Sequence, residues 1–275
     1  MSIPQTSTRS RMRARLFALG AVACATAACF DSVAPSNRRF GTISAATYAD
    51  GGVGFVMSPE AVFYGESNLT FASPATDSCV VTGYSPTATI NGSLLRLDAG
   101  GDIITQVSGR TDSLEVLPGL NLLIYRAVRS SGIPFVPGDT LTVVVPGATG
   151  GFPQAAISVK TAEPFTNSGV VVPAPGADLP LTWTPAATQG SFMTFSLRYA
   201  NVFSTGAPNE QVYCSFIDDG SATIDDSRLG GWLAASSGSR SSRASRLRSR
   251  EVIVDSRTRL VLISTFGQPP LTLLP

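Results

Sequence analysis

Phe135-Val136-Pro137-Gly138-Asp139-Thr140-Leu141-Thr142-Val143-Val144-Val145 sets the architecture. Pro-Gly-Asp is turn chemistry, and the run behind it places Leu141, Val143 and Val145 on one face of a strand by the two-residue period. The same signature recurs outward in both directions. Upstream lie Gly54–Met57 and Ala61–Tyr64, parted by Ser58-Pro59-Glu60, then Cys79–Tyr84, Leu94–Asp98, Ile103–Val107 and Leu122–Val128. Ala99-Gly100-Gly101-Asp102 reads as the turn of a hairpin joining two of them. Downstream, Pro153–Val159 reads as a closing strand. No stretch beyond the N-terminal segment sustains a helical period, so the chain is expected to be all-β.

Pro164, Pro173, Pro175 and Pro180 then crowd one segment, which suits a stiff boundary. A second strand series follows, from Leu179-Pro180-Leu181-Thr182-Trp183-Thr184-Pro185 through Val212-Tyr213-Cys214-Ser215-Phe216 to Asp218-Asp219-Gly220-Ser221-Ala222-Thr223-Ile224. Val212, Cys214 and Phe216 share a face, so Cys214 is expected in the core. This last part resembles the immunoglobulin-like or fibronectin-III-like modules of exported bacterial lipoproteins. The resemblance implies two tandem immunoglobulin-like β-sandwich domains, over 41–168 and 169–275, behind a cleaved signal peptide.

The N-terminus supplies an address. Arg9, Arg11, Arg13 and Arg15 precede the apolar run Leu16–Ala28, which is shorter than the ~20 residues a bilayer requires. Translation could start at Met1 or at Met12. Thr26-Ala27-Ala28-Cys29 resembles a bacterial lipobox, with Thr26 where Leu is usual. The resemblance implies a signal peptide over 1–28, lipidation of Cys29, and a membrane-anchored tether over 29–40. Several acyl chains on one cysteine would hold stably where a single chain would not. Phe30 stands where an inner-membrane retention signal would have Asp, which points to the outer membrane of the cell envelope.

Composition removes whole classes of chemistry. Without the four signal arginines, 16 basic groups face 19 acidic ones, about −3, against nucleic-acid binding. The chain has no histidine, which excludes Ser-His-Asp and Cys-His catalysis and His-ligated metals. Lys160 is the sole lysine and lies in no Ser-x-x-Lys motif. Carboxylates, Tyr and Cys are left for proton transfer, and no cofactor is expected. With Cys24 and Cys29 assigned to the N-terminal segment, Cys79 and Cys214 remain. In an oxidising compartment they are expected to pair, clamping the two halves together or moving their boundary.

Three further groups merit attention. Asp218, Asp219, Asp225 and Asp226 read first as a turn around Gly220 and second as a calcium site. Arg240, Arg243 and Arg246, within a Ser/Gly-rich stretch that continues to Arg248 and Arg250, read as a solvated strand edge or as an anion surface. Trp183 is expected in the core, whereas Trp232, after two glycines, could join the arginines as an exposed glycan platform. The resulting expectation is a non-enzymatic envelope lipoprotein presenting a binding or structural surface to an envelope protein or glycan. A carbohydrate- or cell-wall-binding module is the alternative, and a carboxylate-dependent hydrolase ranks below it.

Overall fold

The computed structural model describes residues 38–50, 54–65, 77–84, 95–116, 123–167, 169–201, 207–267 and 273–274. The first strands are β1 (Arg39–Asp50), β2 (Gly54–Gly65), β3 (Ser78–Gly83), β4 (Leu95–Arg96), β5 (Ile103–Val107) and β6 (Arg110–Val116). Next come β7 (Ile124–Ala127), β8 (Ile133–Phe135), β9 (Thr140–Val145), β10 (Ala155–Lys160), β11 (Val170–Val171) and β12 (Leu179–Thr182). The chain ends with β13 (Phe192–Tyr199), β14 (Glu210–Ile217), β15 (Ser221–Ile224), a helix α1 (Asp226–Ala234), β16 (Ser241–Asp255), β17 (Thr258–Gly267) and β18 (Leu273–Leu274). The protein is predominantly β. The signal peptide, Cys29 and most of the tether lie outside the described residues, and strand β1 already begins at Arg39, inside the span expected to be tether.

One 14-stranded sheet runs in the order β10-β9-β5-β6-β7-β2-β1-β17-β16-β13-β14-β3, with β4 and β8 also paired to β2. Its one parallel ladder is β1 with β17. Two large cores sit on this sheet, and Phe40, Val62, Tyr64 and Val261 form a third, smaller cluster. The first gathers Ile43, Phe63, Ile103, Leu114, Tyr125, Leu141, Val143, Val145, Phe152 and Leu260, all buried. The second gathers Phe165, Leu181, Trp183, Phe195, Leu197, Val212, Cys214, Phe216, Trp232 and Phe266. Each such side chain contributes about 1.5–3 kcal/mol on leaving water.

The cores divide the sequence near residue 161, close to the expected boundary, but the backbone does not respect it. Strand β3, from the first half, pairs with β14 of the second. Strand β17, from the second half, pairs with β1 of the first. Strands from both parts of the sequence are thus interleaved in one sheet, and residues 37–275 form one unit.

Three local readings change for physical reasons. Ser58-Pro59-Glu60 does not separate two strands, because β2 runs through it. Pro59 falls between the segments of β2 that pair with β8 (Phe55–Met57) and β7 (Glu60–Val62), where a missing N–H is tolerated. Gly100 and Gly101 do turn the chain with positive φ, but no hairpin results. Strand β4 pairs with β2, whereas β5 pairs with β6 and β9. A Cβ at Gly100 would collide with the Gly147 carbonyl of the crossing loop. Finally, α1 is a helix the periodicity did not announce. Its nine residues bury only Leu229 and Trp232, and Asp225 caps it by accepting from the Ser227 N–H.

Candidate functional site

Strand β16 carries Arg243, Arg246, Arg248 and Arg250 of the arginines singled out in the sequence, with Arg240 just before it, and alternation sorts them. Ser242, Ala244, Arg246 and Arg248 are buried on one face, and Val252 and Val254 pack against the first core further along the strand. One strand face therefore passes from the second core through a charged junction into the first core.

That junction is saturated with hydrogen bonds. Arg246 is 1% exposed. Its Nε donates to Asp218 Oδ2 at 2.7 Å, and its Nη atoms donate to the carbonyls of Glu163, Pro164 and Thr184. Asp218 also accepts from Trp183 Nε1 at 2.8 Å and from Ser191 Oγ at 2.6 Å. One turn of pleat further, Arg248 donates to Glu163 at 3.0 and 2.9 Å and to the carbonyls of Thr188 and Gln189. Two buried guanidinium groups thus fasten the proline-rich crossing segment onto β16. Every polar edge is used, which is what allows a charge to be buried.

Arg246 is therefore no part of an exposed anion surface. Trp232 is not a glycan platform either, being fully buried with the Arg240 guanidinium 5.3 Å from its ring centroid. Arg240 in turn donates to the carbonyls of Ala235 and Leu233 at the end of α1. Of the arginines from Arg240 to Arg250, Arg243 and Arg250 are exposed. Trp183 sits in the second core, as its alternation predicts.

The four aspartates also part company. Asp218 is committed to Arg246, and Asp219 accepts from the Ser221 N–H in the turn. Asp225 and Asp226 lie at the start of α1 together with Asp178, their carboxylate oxygens within 4.8 Å of one another and exposed. Asp178 accepts from the Asp226 N–H, and the bonds Asp225 receives from Ser227 hold its pKa below the ordinary value. These are capping contacts.

Cys79 and Cys214 are joined in a disulfide that pins edge strand β3 to β14, with Cys214 wholly buried. It joins two strands that lie on opposite sides of the expected boundary.

Two buried tyrosines pair with carboxylates. Tyr125 donates to Asp98 at 2.8 Å and accepts from the Ala99 N–H at 2.7 Å. Burial first, then the neighbouring Asp98, push Tyr125 up to about 12, while the Gly100 N–H and Tyr125 hold Asp98 below its usual range. Tyr199 donates to Glu210 at 2.7 Å and is likewise pushed up to about 12, mainly by burial. Both phenols stay neutral and act as donors.

Open clefts lie elsewhere. One, of about 290 Å³, runs between edge strand β10 and β16 and is lined by Thr140, Ser158, Lys160, Gly190, Arg248 and Arg250 among others. A second, of about 320 Å³, is lined by Gln106, Ser108, Arg110, Thr111, Thr140 and Thr142. A third, of about 340 Å³, lies beside Trp183 and Thr184. No carboxylate lines any of the three, so none offers the paired acids of glycoside hydrolysis. Lys160 and Arg250 carry no sequence motif. Only the approach of β10 to β16 in the fold brings them to one cleft.

No family model matches the chain, and neither curated proteins nor solved structures gave a match.

Proposed function

We propose that this chain is an exported, lipid-anchored cell-envelope protein without enzymatic activity, whose β body presents a binding surface. The disulfide between Cys79 and Cys214 carries the reading. A bond that fastens an edge strand and links two cores suits an oxidising compartment, and the basic-apolar-Cys29 leader is the route there. In this view the two cores are immunoglobulin-like sandwiches that have exchanged strands, so the anchor displays one body. Outer-membrane sorting follows from Phe30 after the lipidated cysteine. The buried carboxylates support the absence of catalysis: Asp218 and Glu163 each serve a structural arginine.

Metabolic palmitate labelling of the expressed chain, with intact mass of the mature product, tests this. Label is expected in the native protein and lost in Cys29→Ser, with the mass placing Cys29 first. Label retained in Cys29→Ser, or a mature chain beginning elsewhere, would overturn the anchor.

A further inference from the structure

The outer face of β6-β5-β9-β10 carries a row of hydroxyl and amide side chains. Thr111, Gln106, Thr142 and Ser158 form one row across four strands through direct pairing. The Thr142 and Ser158 hydroxyls lie 2.9 Å apart. Thr140 pairs with Lys160 in the neighbouring row and lines both the cleft at β10 and the cleft at the β5–β6 hairpin. Thr140 therefore borders both clefts.

Cations stand at both ends. Arg110 closes the hairpin at one side, while Lys160 and Arg250 border the other, with Arg248 behind them. Among the described residues, none of Arg110, Lys160 and Arg250 has an ion-pair partner. The carboxylates on adjoining loops are engaged already: Asp139 accepts the Ser108 hydroxyl at 2.7 Å, and Glu163 holds Arg248. These unpaired cations make the face locally basic.

From β6 to β10 is three strand spacings, roughly 14 Å. A single oxyanion cannot bridge that span, whereas a short oligosaccharide can. Hydroxyls and an amide, which both donate and accept, match sugar hydroxyls, and ammonium and guanidinium groups match carboxylates. No aromatic side chain lines either cleft, so bases have nothing to stack on. We propose that the groove from Arg110 over Thr142 and Thr140 to Lys160 and Arg250 binds an acidic glycan. This deepens the binding-surface reading without needing the anchor, since it is tested on the purified mature chain.

Isothermal titration with a galacturonate hexamer reads it out, with the galacturonate dimer, neutral maltohexaose and inorganic phosphate as comparisons. The hexamer is expected to bind, weakening as salt rises. Lys160→Gln and Arg250→Gln should each weaken it about tenfold, the worth of one charge-assisted hydrogen bond. Arg110→Gln should weaken the hexamer and leave the dimer unchanged. Arg126→Gln, exposed and paired with Glu60, should change nothing. All four sites are at the surface, so melting temperatures should match the native chain and report intact folding. Absence of hexamer binding, equal binding of maltohexaose, or native affinity in the Lys160 and Arg250 variants would overturn the proposal. So would an equal concentration of phosphate in the cell abolishing the hexamer's heat of binding, which would show a site for one oxyanion.

Discussion

The two cores solve the same packing problem with different chemistry. The first is closed by hydrocarbon: Phe63 packs against Tyr125 and Phe152 with ring centroids 5.7 and 4.5 Å apart, over an aliphatic layer from β5, β9 and β10. The second has its own ring cluster, Trp183, Phe195 and Phe216, but is also held by a disulfide and by the Arg246–Asp218 pair. Short strands explain the difference. The second core is roofed by two-stranded β12–β15 and by long connections, and such segments cannot seal themselves by ladder hydrogen bonds. Directional bonds from β16 hold them instead. Hydrocarbon tolerates small shifts, whereas buried charge does not, so the second core should be the more brittle.

Asp218 should break that contrast most strongly. Asp218→Ala leaves Arg246, Trp183 Nε1 and Ser191 Oγ without their shared acceptor, and stranding a buried charge costs about 3–5 kcal/mol. Both tryptophans of the chain lie in the second core, so their fluorescence reports that core alone while far-UV circular dichroism reports both. In urea, Trp emission of the variant should shift at lower denaturant than the dichroism. A loss below 1 kcal/mol would reduce the pair to the worth of a surface ion pair. Coincident transitions would show that the cores unfold as one.

Much of this contrast could be read from residues, and the unread part has identifiable causes. Alternation over Thr140–Val145 and Val212–Phe216 placed Leu141, Val143, Cys214 and Phe216 inside, because a period of two needs no partner to be recognised. The pairing of Cys79 with Cys214 was also legible, from compartment and count. Which strands neighbour one another was not: nothing local to Ser78–Gly83 says that it leaves its half to pair with β14. The arginines of β16 misled for a related reason. Alternation shows that Arg246 and Arg248 share a face, but only the crossing segment, with Glu163 and the carbonyls of Thr184 and Gln189, makes that face an interior. Of the candidate groove, the sequence distinguishes Lys160 only as the sole lysine. Its proximity to Arg250 depends on the fold.

The disulfide sharpens the comparison next. It closes a loop of 135 residues, for which chain entropy sets a ceiling of about 5 kcal/mol, and native bridges are worth about 2–5 kcal/mol. The Cys79→Ser, Cys214→Ser double variant should lose stability within that range. Release of β3 should expose its neighbour β14 to hydrogen exchange, while β5 and β9 of the first core stay protected. Equal loss of protection in both cores would show the bridge acting on the whole chain.

Alkaline pH separates the cores least, because each contains one buried tyrosine. Tyr125 and Tyr199 are both raised from 10.0 to about 12. A raised folded value means the stabilisation is fully present below pH 10 and is lost as pH climbs from 10 to 12, the unfolded phenol ionising first. Two units correspond to about 2–3 kcal/mol per group. The carboxylates have the opposite sign. Asp98 and Glu210 are lowered, so their contribution is present above pH 4 to 4.5 and fades as pH falls below it. The denaturation midpoint should therefore be flat from pH 6 to 9 and fall at both ends. Tyr125→Phe starts less stable at neutral pH, since the Ala99 N–H loses its acceptor, but its decline between pH 10 and 12 should be shallower, with Tyr199 and Tyr213, also raised by burial, still contributing. An unchanged slope in that variant would mean that the Tyr125 phenol ionises in the folded chain as readily as in the unfolded one, and that the first core does not exclude water around it.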